Sequence, residues 1–259
     1  MLAALFLPAL LCGLSAGGWG VPWADARERA LLAVPSALAF ALAAWLLRGV
    51  DASGAVAGFA VALTLWLAAG WQAFVTLLAV FCLTWAATRV GYARKQQLGT
   101  AERRGGRRDA AQVLANTGAA ALLAMFSPAG WVVGAVAVLC EAAADTVSSE
   151  VGQALSRRPR LITSSLVVEP GTNGAVSLAG TLAGVLGAAL IAATALAVHL
   201  LSQPWQACLA AAAGIAGMLI DSLLGATLER RGVLGNDGVN AASTIASALL
   251  AWLPVSILP

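Results

Sequence analysis

Repeated apolar runs, most of them near the length needed to cross the hydrocarbon of a bilayer, restrict this chain more than any other feature. They cover roughly residues 1 to 16, 30 to 47, 54 to 70, 72 to 88, 110 to 127, 129 to 148, 174 to 201, 205 to 228 and 238 to 257. In lipid, every backbone N–H and C=O must be paired within its own segment or within a closed barrel. Long apolar runs without strict alternation select helices. The spacing therefore predicts an all-α fold, a polytopic transmembrane bundle of about nine helices forming a single integral membrane domain over residues 1–259. With 60% hydrophobic and only 10% charged residues, and a mean hydropathy of +0.86, the chain excludes the soluble classes. The first run lacks a positive flank, and LSAGG is a poor cleavage site, so it is expected to stay as a short first helix rather than leave as a signal peptide.

Basic residues set the orientation. Thirteen of the 15 Lys and Arg fall in alternate connections: Arg48, seven from Arg89 to Arg108, then Arg157, Arg158 and Arg160, then Arg230 and Arg231. The positive-inside bias places these connections and the N-terminus in the cytoplasm. The expected location is thus a multi-pass position in a bacterial inner membrane. Residues 91–109 read as a polar, partly mobile basic cytoplasmic loop. Trp residues near the run ends suit an aromatic belt, and Gly54, Gly58, Gly180, Gly184 and Gly187 suit close helix packing.

Against this background Asp145, Glu150 and Asp221 are costly, since an ionised carboxylate in hydrocarbon costs roughly 2.5 to 3.5 kcal/mol on insertion scales unless something compensates it. They lie in AADTVSSEVG and LIDSLLGATLE, within a motif-bearing half spanning 140–259, and the first cluster is followed by EPGTNGAVS. A weak helix–basic turn–helix repeat relates the segment from Asp145 to that from Asp221. All these clusters are expected at the cytoplasmic face. On an ideal helix Ser149 shares a face with Asp145, whereas Glu150 points about 140° away.

Four scattered cysteines without C-x-x-C spacing and a single histidine, His199, leave no zinc-type ligand set. Oxygen ligands without His or Cys suit Mg²⁺, and Mg²⁺ in turn suits phosphate groups that bare carboxylates would repel. The turn Gly171, Thr172, Asn173, Gly174, read as opening a helix, offers backbone N–H groups, polar side chains and a helix dipole to an anion. Arg160, with Arg157 and Arg158, is placed near the same mouth. Asp109 and Gln112 form a candidate capping pair, while Asn116, two turns into its helix, needs another explanation. The basic loop has no interleaved aromatics, so no nucleic-acid partner is expected.

The stretches D-T-x-S-S-E-V-G from Asp145, I-T-x-x-x-x-V-x-P-G-T-N-G-A-V-S from Ile162, D-S-x-x-G-A-x-x-E from Asp221, D-A-S-G-A-V-A from Asp51 and Q-V-L-A-N from Gln112 stand in that character throughout the chain. In them the sequence resembles the family of integral membrane proteins that includes human transmembrane protein 19 and plant phytyl-phosphate kinase. The resemblance implies an isoprenoid-phosphate kinase that moves phosphate from a nucleoside triphosphate, with CTP the expected nucleotide, to a prenyl or phytyl monophosphate with Mg²⁺ as cofactor. It implies a site lined by Asp145, Thr146, Ser149, Glu150, Thr163, Gly171, Thr172, Asn173, Gly174, Asp221 and Asn236. Asp145 and Asp221 are then assigned to the metal, Glu150 to the metal or its surroundings, and Thr172 with Asn173 to phosphate. Expected partners are the lipid phosphate, the nucleotide and membrane lipid. Intramembrane acids and repeat-like halves also describe a cation-coupled transporter, and a non-catalytic scaffold is a third reading.

Overall fold

The computed structural model describes residues 23–101, 103–125 and 129–257, and the first apolar run lies outside them. Every later run becomes a helix. These are α1 (Trp23–Leu46), α2 (Ala52–Ala69), α3 (Trp71–Arg89), α6 (Ala110–Ala124), α7 (Ala129–Leu155), α8 (Leu178–Ala197), α9 (Pro204–Leu224) and α10 (Asn236–Ile257). Seven of the eight are long and apolar enough to cross a membrane; α6, with 15 residues, is shorter. The protein is a polytopic helical membrane bundle.

Polar side chains fix where the helices start. Asp51 caps α2 by accepting from the Gly54 N–H at 2.9 Å, Asp109 forms a reciprocal capping box with Gln112 at α6, and Ser177 caps α8 through the Gly180 N–H. The capping reading of Asp109 and Gln112 is therefore realised.

Helix α7 occupies the centre, packing against α3, α6, α8, α9 and α10. Its span is 78% buried, against 22–39% for the other six. Its residues explain this position, because Ala, Val and Gly surround it on all sides and leave no polar face until Glu141. Neighbouring backbones come close at glycines. A Cβ at Gly180 of α8 would lie 2.6 Å from the Ser148 carbonyl oxygen, and one at Gly214 of α9 would lie 2.6 Å from Cys140 Cβ. Large apolar side chains such as Leu31, Leu38, Val56, Leu178 and Leu186 point outward, as a lipid-facing surface requires.

Two expectations need correction. Residues 91–109 are not a loose loop, because they contain the short helices α4 (Tyr92–Gln97) and α5 (Arg103–Gly106), and α4 docks on α7. Arg94 donates to the Ala154 carbonyl at the end of α7 at 2.8 Å, and Lys95 is fully buried. The run placed at 174–201 starts its helix only at Leu178. Before it, β1 (Arg160–Leu161) and β2 (Ala175–Val176) pair antiparallel and hold the connection as a small hairpin.

Candidate functional site

A largely polar cavity of about 760 Å³ opens where the later turns of α7 and α9 meet the first turns of α6 and α10. Helix α7 contributes Asp145, Thr146, Ser149 and Glu150, α9 contributes Asp221 and Ser222, and α10 contributes Asn236, Asp237 and Asn240. Gln112 and Asn116 come from α6, Thr100, Arg107 and Arg108 from the basic segment, and Gly171, Thr172, Asn173 and Gly174 from the glycine turn. Of the residues expected at the site from sequence, Thr163 and Arg160, together with Arg157 and Arg158 beside the latter, are missing from its wall.

The acids divide into two groups. Glu150, turned away from Asp145 as the helix angle requires, forms a buried ion pair with Lys95, whose ammonium also donates to the Thr88 carbonyl at 2.8 Å. Among the described residues, no three of Asp, Glu, His and Cys converge as a metal-ligand group. The three-carboxylate metal site of Asp145, Glu150 and Asp221 is accordingly not formed, because Lys95 engages Glu150.

Asp221 belongs to a different network. Ser243 lies 2.6 Å from Glu141 Oε1 and 3.2 Å from Asp221 Oδ2. With its amide oriented to satisfy both neighbours, Asn240 donates to Asp221 Oδ2 at 3.1 Å and accepts from Asn116 Nδ2 at 3.2 Å. Asn116 thus finds its explanation as one end of a chain of polar groups. Asp145 is near enough to Glu141 and Asp221 for their charges to oppose one another. Ser243 carries one proton and donates it to one acceptor, so a second carboxyl contact to its oxygen requires a proton on the carboxyl. Glu141 is 1% exposed and its Oε2 has no hydrogen-bond partner. At 1.5 Å per residue it lies about 18 Å along α7, one turn deeper than Asp145.

Sequence reasoning passed over Glu141, Lys95, Arg107, Arg108, Asn240 and Ser243. A signal existed for three of them: Glu141 precedes Asp145 by four residues, and Asn240 and Ser243 follow Asn236 by four and seven, the spacings of one helix face.

Arg108 takes the place expected for Arg160. Its guanidinium donates to Thr146 Oγ1 at 3.0 Å. The D-A-S-G stretch is what holds it: the Arg108 N–H donates to the Gly49 carbonyl and the Asp51 N–H donates to the Arg108 carbonyl, each at 3.0 Å. A Cβ at Gly54 would lie 2.2 Å from that same carbonyl oxygen, so only glycine permits the approach. Arg160 instead donates to the Ser165 carbonyl at 2.7 Å and closes the exposed turn that also carries Thr163. Arg157 and Arg158 are likewise exposed and outside the cavity wall.

The glycine turn reaches the cavity, but not as a helix N-terminus, because β2 and the Ser177 cap intervene. Its anion-binding capacity rests on its own backbone. Among the described residues the N–H groups of Gly171, Asn173 and Gly174 make no hydrogen bond, whereas the Thr172 hydroxyl donates to the Glu169 carbonyl at 2.7 Å. Gly171 and Gly174 adopt φ of 84° and 76°, the left-handed conformation from which successive N–H groups form anion nests. Gly174 also packs on the π-helical turn Gly225–Glu229 that continues α9, where its Cβ would lie 2.4 Å from Ala226 Cβ. Such π-turns frequently mark functional sites.

The chain is similar in sequence to known proteins. An uncharacterized membrane protein of Methanocaldococcus jannaschii is 37% identical over 210 residues, covering 80% of this chain and 86% of the relative. Protein VTE6, chloroplastic, of Arabidopsis thaliana is 34% identical over 220 residues, covering 80% of this chain and 66% of the relative. An uncharacterized membrane protein of Synechocystis is 37% identical over 195 residues, covering 72% and 75%. No solved structure matches. The model of the integral membrane protein family DUF92 matches residues 35–248, and the chain belongs to that family.

Proposed function

We propose that the protein is a membrane-embedded isoprenoid monophosphate kinase, transferring phosphate from a nucleoside triphosphate, CTP by expectation, to a prenyl or phytyl-type monophosphate at the cytoplasmic face of a bacterial inner membrane. The observation that carries this reading is one polar cavity in which unpaired backbone N–H groups and Arg108 face the same space as Asp145 and Asp221. Its volume falls within the roughly 300–1,000 Å³ of small-molecule sites.

The donor set fits Mg²⁺, which typically takes one or two carboxylates and completes its shell with water and substrate phosphates. Asp145 and Asp221 would hold it, with Asn236 and Asp237 nearby in the wall. Bound there, Mg²⁺ would neutralise charge between bridging phosphates. Phosphoryl transfer is mostly positioning and charge stabilisation. Arg108 and Arg107 orient an anionic group by charge, and the N–H groups of Gly171, Asn173 and Gly174 grip phosphate oxygens from the opposite chain segment. An acceptor that is already a phosphate needs no strong base from the protein.

The decisive experiment incubates purified protein with labelled CTP or ATP, Mg²⁺ and prenyl monophosphates of several lengths. Appearance of the diphosphate supports the kinase; no diphosphate under any combination overturns it. The chain from Asp221 through Ser243 to Glu141, reaching the middle of α7, favours one alternative, a cation-coupled carrier. Uptake into proteoliposomes driven by a proton or sodium gradient, without nucleotide turnover, would establish that carrier instead.

A further inference from the structure

Beside the polar cavity runs a second, apolar cleft that the proposed chemistry leaves unassigned. It lies among α1, α2, α3 and the start of α6, with Phe40, Val61, Val80 and Phe81 in its walls. Two residues, Arg108 and Asn116, line both spaces. The two spaces therefore share a wall at Arg108 and Asn116, polar on one side and mostly apolar on the other. The cleft encloses about 70 Å³, less than a tenth of the polar cavity, so it suits a thin chain and excludes a headgroup or a base.

Helix α2 sets the direction. Gly54 packs on the Arg108 backbone, and Gly58 and Val61 follow on the same face at intervals of four and three residues. From Gly54 to Val61 the cleft extends about 10 Å along the helix. Gly58 has open space: a Cβ there would meet nothing within 4 Å. Gly49 differs, since a Cβ there would lie 2.8 Å from the Phe81 ring. The glycine at 58 thus leaves a vacancy in the wall that a larger residue would fill, whereas position 49 is already closed by aromatic packing.

We propose that this cleft holds the first part of the isoprenoid tail of the lipid phosphate whose head occupies the polar cavity, with Arg108 at the junction and Gly58 setting the room available to the tail. The proposal rests on the kinase reading for the identity of the lipid. An anion on Arg108 places its ester-linked carbons at the cleft mouth.

Photolabelling tests it without turnover. The full-length protein in nanodiscs is irradiated with a prenyl monophosphate carrying a diazirine on its tail, and with a diazirine-tailed phosphatidylcholine in parallel. The expected result is labelling of peptides from α1 to α3 by the prenyl phosphate alone, competed by unlabelled prenyl monophosphate. In Gly58→Leu, which adds four carbons to the wall, that labelling falls at least on the order of tenfold, the lower end of the discrimination that one methylene gives in an apolar pocket. Equal labelling by phosphatidylcholine, or label confined to outer faces such as that of Leu182 and Leu186 in α8, overturns the proposal. The two readings fail separately. Cleft labelling without diphosphate product in the nucleotide assay sinks the kinase and keeps the tail site; product with label only on outer faces does the reverse.

Discussion

Removing the Lys95 charge tests whether the basic segment is a built wall of the cavity. Lys95 is fully buried, the Glu150 side chain is 7% exposed, and the ammonium is held by Glu150 and the Thr88 carbonyl. Lys95→Met keeps an unbranched stem of similar length and deletes the charge, leaving Glu150 buried beside a thioether. Breaking a buried ion pair from one side typically costs about 3–5 kcal/mol, while replacing both partners with apolar residues is often neutral. Lys95→Met should therefore destabilise by about 3 kcal/mol or more, and Lys95→Met/Glu150→Leu should recover most of that loss. Reversible unfolding of the detergent-solubilised protein in mixed micelles with increasing SDS measures both. The chain has one way to reduce the cost, which is to release α4 and let water reach Glu150. Trypsin would then cut at Arg94 in the single variant and leave that bond intact in the wild type. A Lys95→Met protein within about 0.5 kcal/mol of wild type, the range of ordinary surface changes, with unchanged cleavage would refute the assignment of Lys95 to a buried pair.

Three further outcomes follow from the cavity. Asp145→Asn and Asp221→Asn should each lower diphosphate formation by roughly 100-fold or more while leaving the melting transition in place, as loss of a charge-stabilising group does; activity retained in both would remove them from the site. Arg108→Ala should raise the KM for the prenyl monophosphate on the order of tenfold, the loss of a charge-assisted hydrogen bond, whereas Arg160→Ala should leave it unchanged, so equal effects in the two would undo their distinction. Gly174→Val should abolish turnover and destabilise by about 1–3 kcal/mol, because a β-branched residue is strained at φ 76° and collides with Ala226; circular dichroism melts and the kinase assay read the two effects separately.

The helices from residue 23 onward were legible because long apolar runs in lipid admit one local structure. Their ends shifted where short-range chemistry took over, as at Ser177, which caps α8 three residues after the run begins. What stayed hidden depended on contacts across the chain. Lys95 sits in a segment whose composition predicts solvation, and its burial follows from an acid 55 residues later. Arg108 and Arg160 are equivalent in a charge count; backbone pairing of Arg108 with residues 49 and 51 separates them. The D-A-S-G motif was visible as a pattern, yet its use as a brace for another segment's arginine has no sequence signature. The divergence of Glu150 from Asp145 was readable from the helix angle, since both lie on one continuous helix.

The placement of charge also changes what the motif-bearing half means. Residues 140–259 carry the acids Glu141, Asp145, Glu150 and Asp221 and the glycine turn, which makes that half look sufficient for a site. Its compensation, however, comes from the other half: Lys95 neutralises Glu150, Arg108 docks on Thr146 beside Asp145, and Asn116 ends the chain that reaches Asp221 through Asn240. Buried carboxylates without these partners would be strongly unfavourable in an apolar bundle. The apolar cleft belongs almost entirely to the earlier half, formed by α1, α2 and α3. Acids and unpaired backbone N–H groups on one side, with cations and apolar walls on the other, make the site a property of the interface between halves. A ligand with an anionic head and an apolar tail is the kind of molecule that engages both at once.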